Sequence, residues 1–358
     1  MILLLNPQPP LIHWQIRDKE IVIEGKTKLG PDFINIIVEK IGNIRKIIAI
    51  GYVLYNGGEK FRSTLYEIDT NSEKDLESCI NLLPEYNNLT YEAFRLWIRR
   101  LPWVKHLLFC ETGFFADLPE EASLYAVPSE LNKKGIRRYG GYGIYHHYAS
   151  EITDDLINLN TKKIISIHLG KNTNIAAIKN KIPLDTTIGF TPTEGIFSDT
   201  GCGDIDPTVV FQLYSAGISF KEINNILTDK SGFTGLLGRP STIYELLKNK
   251  PDENVTKVLK IFVYNILKYI GAYISLLNGV DLIIFGGNNI WEFRELINEI
   301  CDGLTFTGAI PNFNNITRNK INIISSNDSK IKLLCFNTNR WEIMNNKYLN
   351  TYNNIGVK

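Results

Sequence analysis

The stretch Ile164–Lys179, with the sequence IISIHLGKNTNIAAIK, combines an apolar run, a short polar turn and a second run in which apolar and polar residues alternate. The stretch Ile2–Arg17, ILLLNPQPPLIHWQIR, repeats this order near the N-terminus. Short apolar runs bounded by turn residues are typical of buried strands, so each stretch predicts two strands joined by a hairpin turn. This internal repeat predicts two related halves, each with its hairpin directed toward a central cleft.

Helical patterns alternate with these strands. Further buried strands are predicted at Ile47–Leu54, Val104–Phe109 and Leu282–Phe285. Helices are predicted at Lys221–Leu227, Ile243–Lys248, Asn254–Asn278 and about Ile290–Cys301. Gly279 is placed to end the long helix. The alternation predicts an α/β protein, with the segment Ala149–Lys162 linking the halves.

Composition excludes several classes of protein. The chain has 358 residues, of which 44% are hydrophobic and 22% charged, and this predicts a folded protein of two or three domains. Its 39 Lys and Arg nearly balance 38 Asp and Glu, which argues against nucleic-acid or anionic-lipid binding. The apolar N-terminus lacks the basic residues of a signal peptide and is interpreted as a strand. The five cysteines contain no CxxC pair, which favours a reducing cytoplasm.

Several motifs together resemble the acetate kinase (acetokinase) family. They occur in the family's order and spacing across nearly the whole chain. They are NGGEKF (Asn56–Phe61), YAVP (Tyr125–Pro128), GIRRYG (Gly135–Gly140), HLG (His168–Gly170), GFTPTEG (Gly189–Gly195), GDIDP (Gly203–Pro207), YIGAY (Tyr269–Tyr273) and NTN (Asn337–Asn339). Each match is several residues long, so the chain is identified as a divergent member of this family.

The resemblance implies an actin-like ATPase (ribonuclease H-like) fold. Two duplicated domains, residues 1–150 on the acceptor side and 151–358 on the nucleotide side, would each have a mixed five-stranded sheet with flanking helices. The implied reaction is phosphoryl transfer from ATP, with Mg²⁺, to acetate or a similar small carboxylic acid. The resemblance also implies a cytoplasmic homodimer formed through the C-terminal half, without a nucleic-acid or membrane partner.

Most of the family's charged catalytic groups are replaced. The Arg before the NGGEKF motif is Val53, and the second Arg is Gly201. One family His has no counterpart in Leu83–Leu89, and the other is Tyr142. The Gly- and Ser-rich phosphate turn has become a Pro-rich one, and Pro has no N–H to offer a phosphate. Phosphoryl transfer depends on positive charge, so ordinary acetate kinase activity is not expected.

Some polar residues remain at the implied site, and new ones enter it. The catalytic candidates are Asn6, Glu111, Tyr142 and Lys171, and Glu111 is also the candidate magnesium ligand. The candidates for nucleotide binding are His168, Gly170, Asn172, Gly286, Gly287 and Asn289. Arg340 replaces the family's magnesium-linked Glu, so Lys171 and Arg340 are new cations.

The sequence is compatible with two hypotheses. In the first, the site has been rebuilt and phosphorylates a different acid or related acceptor. In the second, the protein is a catalytically silent homologue that binds a ligand or a protein partner. Binding of Mg-ATP, and its loss on Gly286→Trp, is expected only for the first. The pair Gly286–Gly287 has a structural alternative, a tight turn without ligand contact, and His146–His147 is interpreted as a surface pair.

Overall fold

The computed structural model describes residues 1–18, 21–153, 162–248, 252–314, 316–317 and 321–352. The strands are β1 (Ile2–Gln8), β2 (Leu11–Asp18), β3 (Ile21–Thr27), β4 (Ala49–Leu54), β5 (Leu65–Ile68), β6 (Lys105–Cys110), β7 (Lys163–His168), β8 (Asn174–Lys179), β9 (Ile182–Thr186), β10 (Leu282–Gly287), β11 (Asn322–Ile323) and β12 (Lys332–Asn337). The helices are α1 (Phe33–Ile41), α2 (Glu73–Ser78), α3 (Pro84–Arg100), α4 (Glu120–Ser123), α5 (Ser129–Lys133), α6 (Gly143–Glu151), α7 (Thr208–Ser215), α8 (Phe220–Asp229), α9 (Gly232–Leu237), α10 (Ile243–Lys248), α11 (Glu253–Leu277), α12 (Arg294–Asp302) and α13 (Arg340–Tyr352).

The chain divides into two compact units. Unit 1 contains Met1–Asp117, Gly141–Ile144 and Arg340–Lys358, and unit 2 contains Leu118–Gly140 and Tyr145–Asn339. The C-terminal helix α13 therefore belongs to the same unit as the N-terminal hairpin. The division into domains 1–150 and 151–358 stays a prediction, and most of its proposed linker, residues 154–161, lies outside the described residues.

The sheet of each unit is built on the same plan. In unit 1 the strand order is β3-β2-β1-β4-β6-β5, and in unit 2 it is β9-β8-β7-β10-β12-β11. In each sheet the first three strands in this order form two antiparallel pairs. The next two strands, β4 and β6 in unit 1 and β10 and β12 in unit 2, run parallel to the third strand, β1 or β7. This order confirms the duplicated α/β architecture predicted from the repeated hairpin pattern.

Each described sheet has six strands, so the expected number of five is wrong. The sixth strand is a short antiparallel edge strand, β5 in unit 1 and the two-residue β11 in unit 2. Each one pairs with the last parallel strand and so satisfies backbone groups that an edge would leave unpaired. Neither strand is a long apolar run, which is why the hydrophobic pattern did not predict it.

The apolar runs occupy the predicted positions. The predicted runs Ile2–Leu5 and Leu282–Phe285 are buried in β1 and β10. Of the run Ile47–Leu54, the residues Ala49–Leu54 form the buried strand β4, which begins two residues later than predicted. The long helix α11 ends at Leu277, and the two residues after it, Asn278 and Gly279, both have positive φ, as the predicted stop requires. Among the described helices α11 alone is long and apolar enough to cross a membrane, but eight of its residues pack into the core of unit 2. It is therefore interpreted as a core helix.

Candidate active site

Three polar residues of unit 1 lie where its parallel strands end. Asn6 is near the end of β1, Tyr55 follows β4, and Glu111 follows β6. Because β1, β4 and β6 are parallel neighbours, their carboxyl ends lie at one edge of the sheet. Ligand sites of open α/β sheets occur at this edge. The fold therefore brings two of the predicted catalytic residues, Asn6 and Glu111, to the same edge of the sheet.

Arg340 joins these three residues. Its Nη2 lies 2.7 Å from Oε1 of Glu111, and its Nη1 donates to Oδ1 of Asn6 at 3.1 Å and to the hydroxyl of Tyr55 at 2.9 Å. The Tyr55 hydroxyl also donates to Asn6, at 3.0 Å, and accepts a hydrogen bond from Gln8 at 2.5 Å. We call Asn6, Tyr55, Glu111 and Arg340 the arginine cluster.

The charges in the arginine cluster are largely withdrawn from water. The side chain of Glu111 is 3% exposed and that of Arg340 is 24% exposed. Burial lowers the pKa of Arg340, but Tyr55 and Glu111 outweigh this effect and leave the pKa above its ordinary value. Burial also raises the pKa of Tyr55, and Arg340 only partly opposes the shift. The guanidinium is therefore charged and the phenol protonated over the physiological pH range.

The turn Gly141–Gly143 and the residue after it form hydrogen bonds with the carbonyl oxygen and the second carboxylate oxygen of Glu111. The backbone N–H of Gly143 donates to the Glu111 carbonyl oxygen at 2.8 Å, and that of Ile144 donates to Oε2 at 3.2 Å. Tyr142, at the centre of this turn, has φ of 56°, which is uncommon for a residue with a side chain. Its phenol is close enough to influence the pKa of both Tyr55 and Arg340. Tyr142 therefore adjoins the arginine cluster, and its catalytic role stays a prediction.

The predicted nucleotide residues of unit 2 also meet at strand ends. Gly286 of β10 is the parallel partner of His168 of β7, and the Gly286 carbonyl accepts from the Leu169 N–H at 2.7 Å. Nδ1 of His168 lies 3.2 Å from the Asn172 carbonyl oxygen, within the turn that also contains Gly170. The structure therefore brings the HLG turn and the Gly286–Gly287 turn together.

Close packing explains both glycines of the second turn. A Cβ at Gly286 would lie 2.6 Å from the Tyr145 hydroxyl, and one at Gly287 would lie 2.0 Å from the Leu169 carbonyl oxygen. Asn289, predicted to contact adenosine, is exposed and has φ of 51°. Close packing is thus sufficient to explain why both positions are glycine, without a bound ligand. The substitution Gly286→Trp would disturb the packing around Tyr145 whether or not a nucleotide binds.

Two residues beside the nucleotide turns were not singled out from the sequence. The Tyr244 hydroxyl donates to the Asn288 carbonyl at 3.1 Å. Asp199 is buried, and its backbone N–H donates to the carbonyl of the exposed Lys171 at 3.1 Å. Neither Asp199 nor Tyr244 belongs to a motif with a fixed spacing, so only their neighbours in the fold reveal them.

A sequence model of the Acetokinase family matches residues 21–345. The chain belongs to the acetokinase family. It is 39% identical over 353 residues to the acetate kinase of Thermosipho melanesiensis, covering 93% of this chain and 86% of the relative. It is 36% identical over 342 residues to the acetate kinase of Fervidobacterium nodosum, covering 90% and 83%.

Solved structures agree with this assignment. The crystal structure of Porphyromonas gingivalis acetate kinase is similar with a TM-score of 0.86 and 27% identity over 98% of both chains. That of a propionate kinase from Francisella tularensis has a TM-score of 0.84 and 25% identity over 96% of this chain and 97% of that one. The actin-like ATPase fold is therefore confirmed, and this acetokinase-family protein is a kinase, a phosphotransferase.

The arginine cluster does not fit a magnesium site in which the protein holds the ion. Both carboxylate oxygens of Glu111 already accept hydrogen bonds, one from Arg340 and one from Ile144. Within the described ranges, no group of three or more His, Cys, Asp and Glu side chains could hold a metal. Glu111 as a metal ligand stays a prediction, and its contacts support a different role, that of counter-ion to Arg340.

The acetokinase-family protein buries one of its two adjacent histidines, so the expectation of a surface pair is wrong for His146. Its Nδ1 lies 2.9 Å from the Ser166 hydroxyl, and its Nε2 lies 2.5 Å from Oδ1 of Asn174. Burial lowers the pKa of His146 to about 3, so the ring is neutral. His147, on the next position of α6, is partly exposed and pairs with Glu151.

Proposed function

We propose that the protein phosphorylates a small carboxylic acid with ATP, using an acceptor site in which Arg340 supplies the positive charge. A carboxylate oxygen of the acceptor attacks the γ-phosphorus, and the bond from that phosphorus to the β–γ bridging oxygen breaks. The products are an acyl phosphate and ADP. The observation that carries this proposal is the guanidinium of Arg340 beside Asn6, Tyr55 and Glu111.

Arg340 supplies a positive charge that strand β4 lacks. The Arg expected on strand β4 is Val53, which is fully buried and has no charge to offer. The Arg340 guanidinium reaches the same carboxyl edge of the sheet from the start of α13. Its guanidinium has five N–H donors, so donors remain for an anionic acceptor beside the contacts of Nη1 with Asn6 and Tyr55 and of Nη2 with Glu111. The change of the residue that provides the cation supports an acceptor other than acetate.

Unit 2 is proposed as the nucleotide side. His168, Gly170, Asn172, Gly286, Gly287 and Asn289 surround the two turns described above. Lys171, an exposed cation on the first turn, is proposed to attract the phosphates. Mg²⁺ is proposed to arrive with ATP, because this ion is commonly bound through substrate phosphates and few protein ligands.

A second candidate function rests on two observations in unit 1. Glu111 neutralises much of the charge of Arg340, and the β1–β2 hairpin closes through Pro9 and Pro10, between the paired residues Gln8 and Leu11. A proline turn has no N–H groups with which to cradle a phosphate. Both features favour a catalytically silent family member that binds a ligand or a protein partner.

Titration calorimetry with Mg-ATP and a non-hydrolysable analogue, followed by phosphorylation assays, separates these functions. For the kinase we expect nucleotide binding below millimolar concentration and ADP formation that depends on one of a panel of carboxylic acids, with acetate a poor acceptor. Absence of nucleotide binding at millimolar concentration would exclude the kinase function. Binding without turnover on any acid would favour the silent homologue.

Replacing the exposed Lys171 by Ala tests its proposed place beside the phosphates. We expect Lys171→Ala to abolish turnover on the identified acceptor and to weaken ATP binding, with the affinity for adenosine unchanged, because adenosine has no phosphate. The control is Lys221→Ala, which removes another exposed cation, from α8. Unchanged turnover in Lys171→Ala, measured by ADP release, would remove Lys171 from the mechanism.

A homodimer is proposed to form through the apolar surface of α7 and the start of α8. None of the residues of α7 is buried within the chain, and Phe211 and Phe220 are each 64% exposed. The rings of Tyr214 and Phe220 stack with their centroids 4.5 Å apart. Exposed apolar patches of this kind are typical of protein interfaces.

Changing Phe211 to Glu is expected to convert the proposed dimer to a monomer in sedimentation velocity, because a buried unpaired carboxylate is costly. The control is Phe306→Glu, which changes a side chain that is 73% exposed in a different part of unit 2. A dimer that survives Phe211→Glu would place the interface elsewhere.

The five cysteines are free, which supports the proposed cytoplasmic location.

A further inference from the structure

Three polar residues of unit 1 form a row across β1, β2 and β3. Asn6 of β1 is the antiparallel partner of His13 on β2, and His13 is the partner of Lys26 on β3. Side chains of directly paired residues lie on the same face of a sheet. Because the Asn6 side chain bonds to Arg340, this is the face that carries the arginine cluster. We call Asn6, His13 and Lys26 the donor row.

The donor row offers N–H groups to a ligand. Oδ1 of Asn6 already accepts from Arg340 and Tyr55, so the amide Nδ2 is left to donate. Burial, followed by the charge of Lys26, lowers the pKa of His13, so its ring is neutral at neutral pH and donates one N–H. Lys26 is exposed, and its ammonium forms no ion pair within the ranges that the structure describes. The row therefore ends in an uncompensated positive charge.

The next residues along the same face of the sheet differ from the donor row, because they are paired with one another. Gln15 of β2 donates from Nε2 to Oε2 of Glu24 on β3 at 3.4 Å. Arg17 donates from Nε to Oε1 of Gln15 at 2.5 Å, and its Nη2 lies 3.9 Å from Oε1 of Glu342 on α13. Donors and acceptors are matched in this group, whereas the donors of the donor row are left for a ligand.

The spacing of the donor row suits a ligand with two carboxylates. Neighbouring strands lie about 4.8 Å apart, and this is the step from Asn6 to His13. The two carboxyl carbons of an extended five-carbon dicarboxylic acid are about 5 Å apart, since each C–C bond is about 1.5 Å long. A first carboxylate beside Asn6 therefore leaves the second beside His13, within reach of the flexible Lys26 side chain.

We infer that the acceptor is a short dicarboxylic acid, whose second carboxylate is bound by His13 and Lys26. This inference rests on the proposed phosphorylation of a carboxylic acid. An oxygen of the first carboxylate forms a bond to the γ-phosphorus of ATP, and the bond from that phosphorus to the β–γ bridging oxygen breaks, which releases ADP. The second carboxylate does not react and stays ionised. His13 and Lys26 are thus specificity-determining residues, because they contact an end of the acceptor that acetate lacks.

Three acceptors of equal chain length measure this selectivity. Glutarate has two carboxylates, glutaramate has a neutral amide in place of one, and pentanoate has a methyl group there. We expect kcat/KM for glutarate to exceed that for glutaramate about three- to tenfold at low salt, the effect of one charge near a protein surface. The preference should fall as NaCl is raised, because salt screens exposed charges. Equal values for the two acids would overturn the inference.

The variant Lys26→Met removes the charge of the donor row and keeps an apolar side chain of similar length. We expect it to bring the glutarate-to-glutaramate ratio within about twofold, mainly through a higher KM for glutarate. His13→Phe removes the ring N–H and should lower kcat/KM for both acids relative to pentanoate. The control Lys40→Met removes an exposed cation from α1, whose buried side chains pack in the core on the other face of the sheet, and should leave the ratio unchanged.

The outcomes distinguish this inference from the proposed function. If glutarate, glutaramate and pentanoate are phosphorylated equally well, only the role of the donor row is overturned. If no acid supports ADP formation, the proposed function fails, and calorimetric titration of the whole protein with glutarate and glutaramate then tests the donor row by itself. Tighter binding of glutarate that is lost in Lys26→Met supports the inference, and equal affinities or no binding of either acid contradict it.

Discussion

Arg340→Met is expected to reduce turnover of the acceptor about 100- to 1,000-fold, the usual effect of removing one preorganised donor of positive charge. It should also lower the free energy of unfolding by about 2 to 3 kcal/mol. Removing one partner of a buried ion pair leaves the other charge uncompensated, and Arg340 is partly exposed, which reduces that cost. Steady-state kinetics and urea unfolding measure the two effects separately.

A double variant separates catalysis from stability. In Arg340→Met with Glu111→Gln, the buried carboxylate is gone and the amide oxygen can still accept from the Ile144 N–H. We expect most of the lost stability to return while turnover stays low. Arg340→Lys keeps the charge and loses the planar fork, so it should retain only part of the activity. Recovery of full turnover in the double variant would show that Arg340 only stabilises the fold.

Gly287→Ala is expected to lower the free energy of unfolding by about 3 kcal/mol and to abolish ADP binding. The added Cβ would lie 2.0 Å from the Leu169 carbonyl oxygen, which is backbone and cannot rotate away. The collision separates the end of β10 from the turn after β7, where Leu169 bonds to Gly286. Overpacking at such a rigid contact is costly. Thermal unfolding and calorimetry with ADP provide the measurements.

Gly170→Ala is the matched control in the same site. Its Cβ would be 3.2 Å from the Tyr244 hydroxyl, the end of a side chain that can move by a few tenths of an ångström. We expect a loss of stability below about 1 kcal/mol. Equal destabilisation by the two variants would contradict the close backbone contact at Gly287.

The secondary structure near the site was predictable because its signals are local. The apolar runs that became β1, β4, β7 and β10 are short, rich in Ile, Leu or Val, and bounded by turn residues. The stop of α11 at Asn278 and Gly279 was likewise visible in the sequence. The edge strands β5 and β11 were missed because they are short, and partners in the sheet rather than their own residues stabilise them.

By itself the sequence determined the duplicated α/β architecture and the family, and it also showed which chemical groups were lost. Val53 has no charge and Pro9 no N–H, whatever surrounds them. Only the tertiary structure decided which groups now stand at the strand ends. Arg340 is 334 positions from Asn6. Parallel strand pairing brings Asn6 and Glu111 to one sheet edge, and the start of α13 adds Arg340 there, and no local periodicity records that approach.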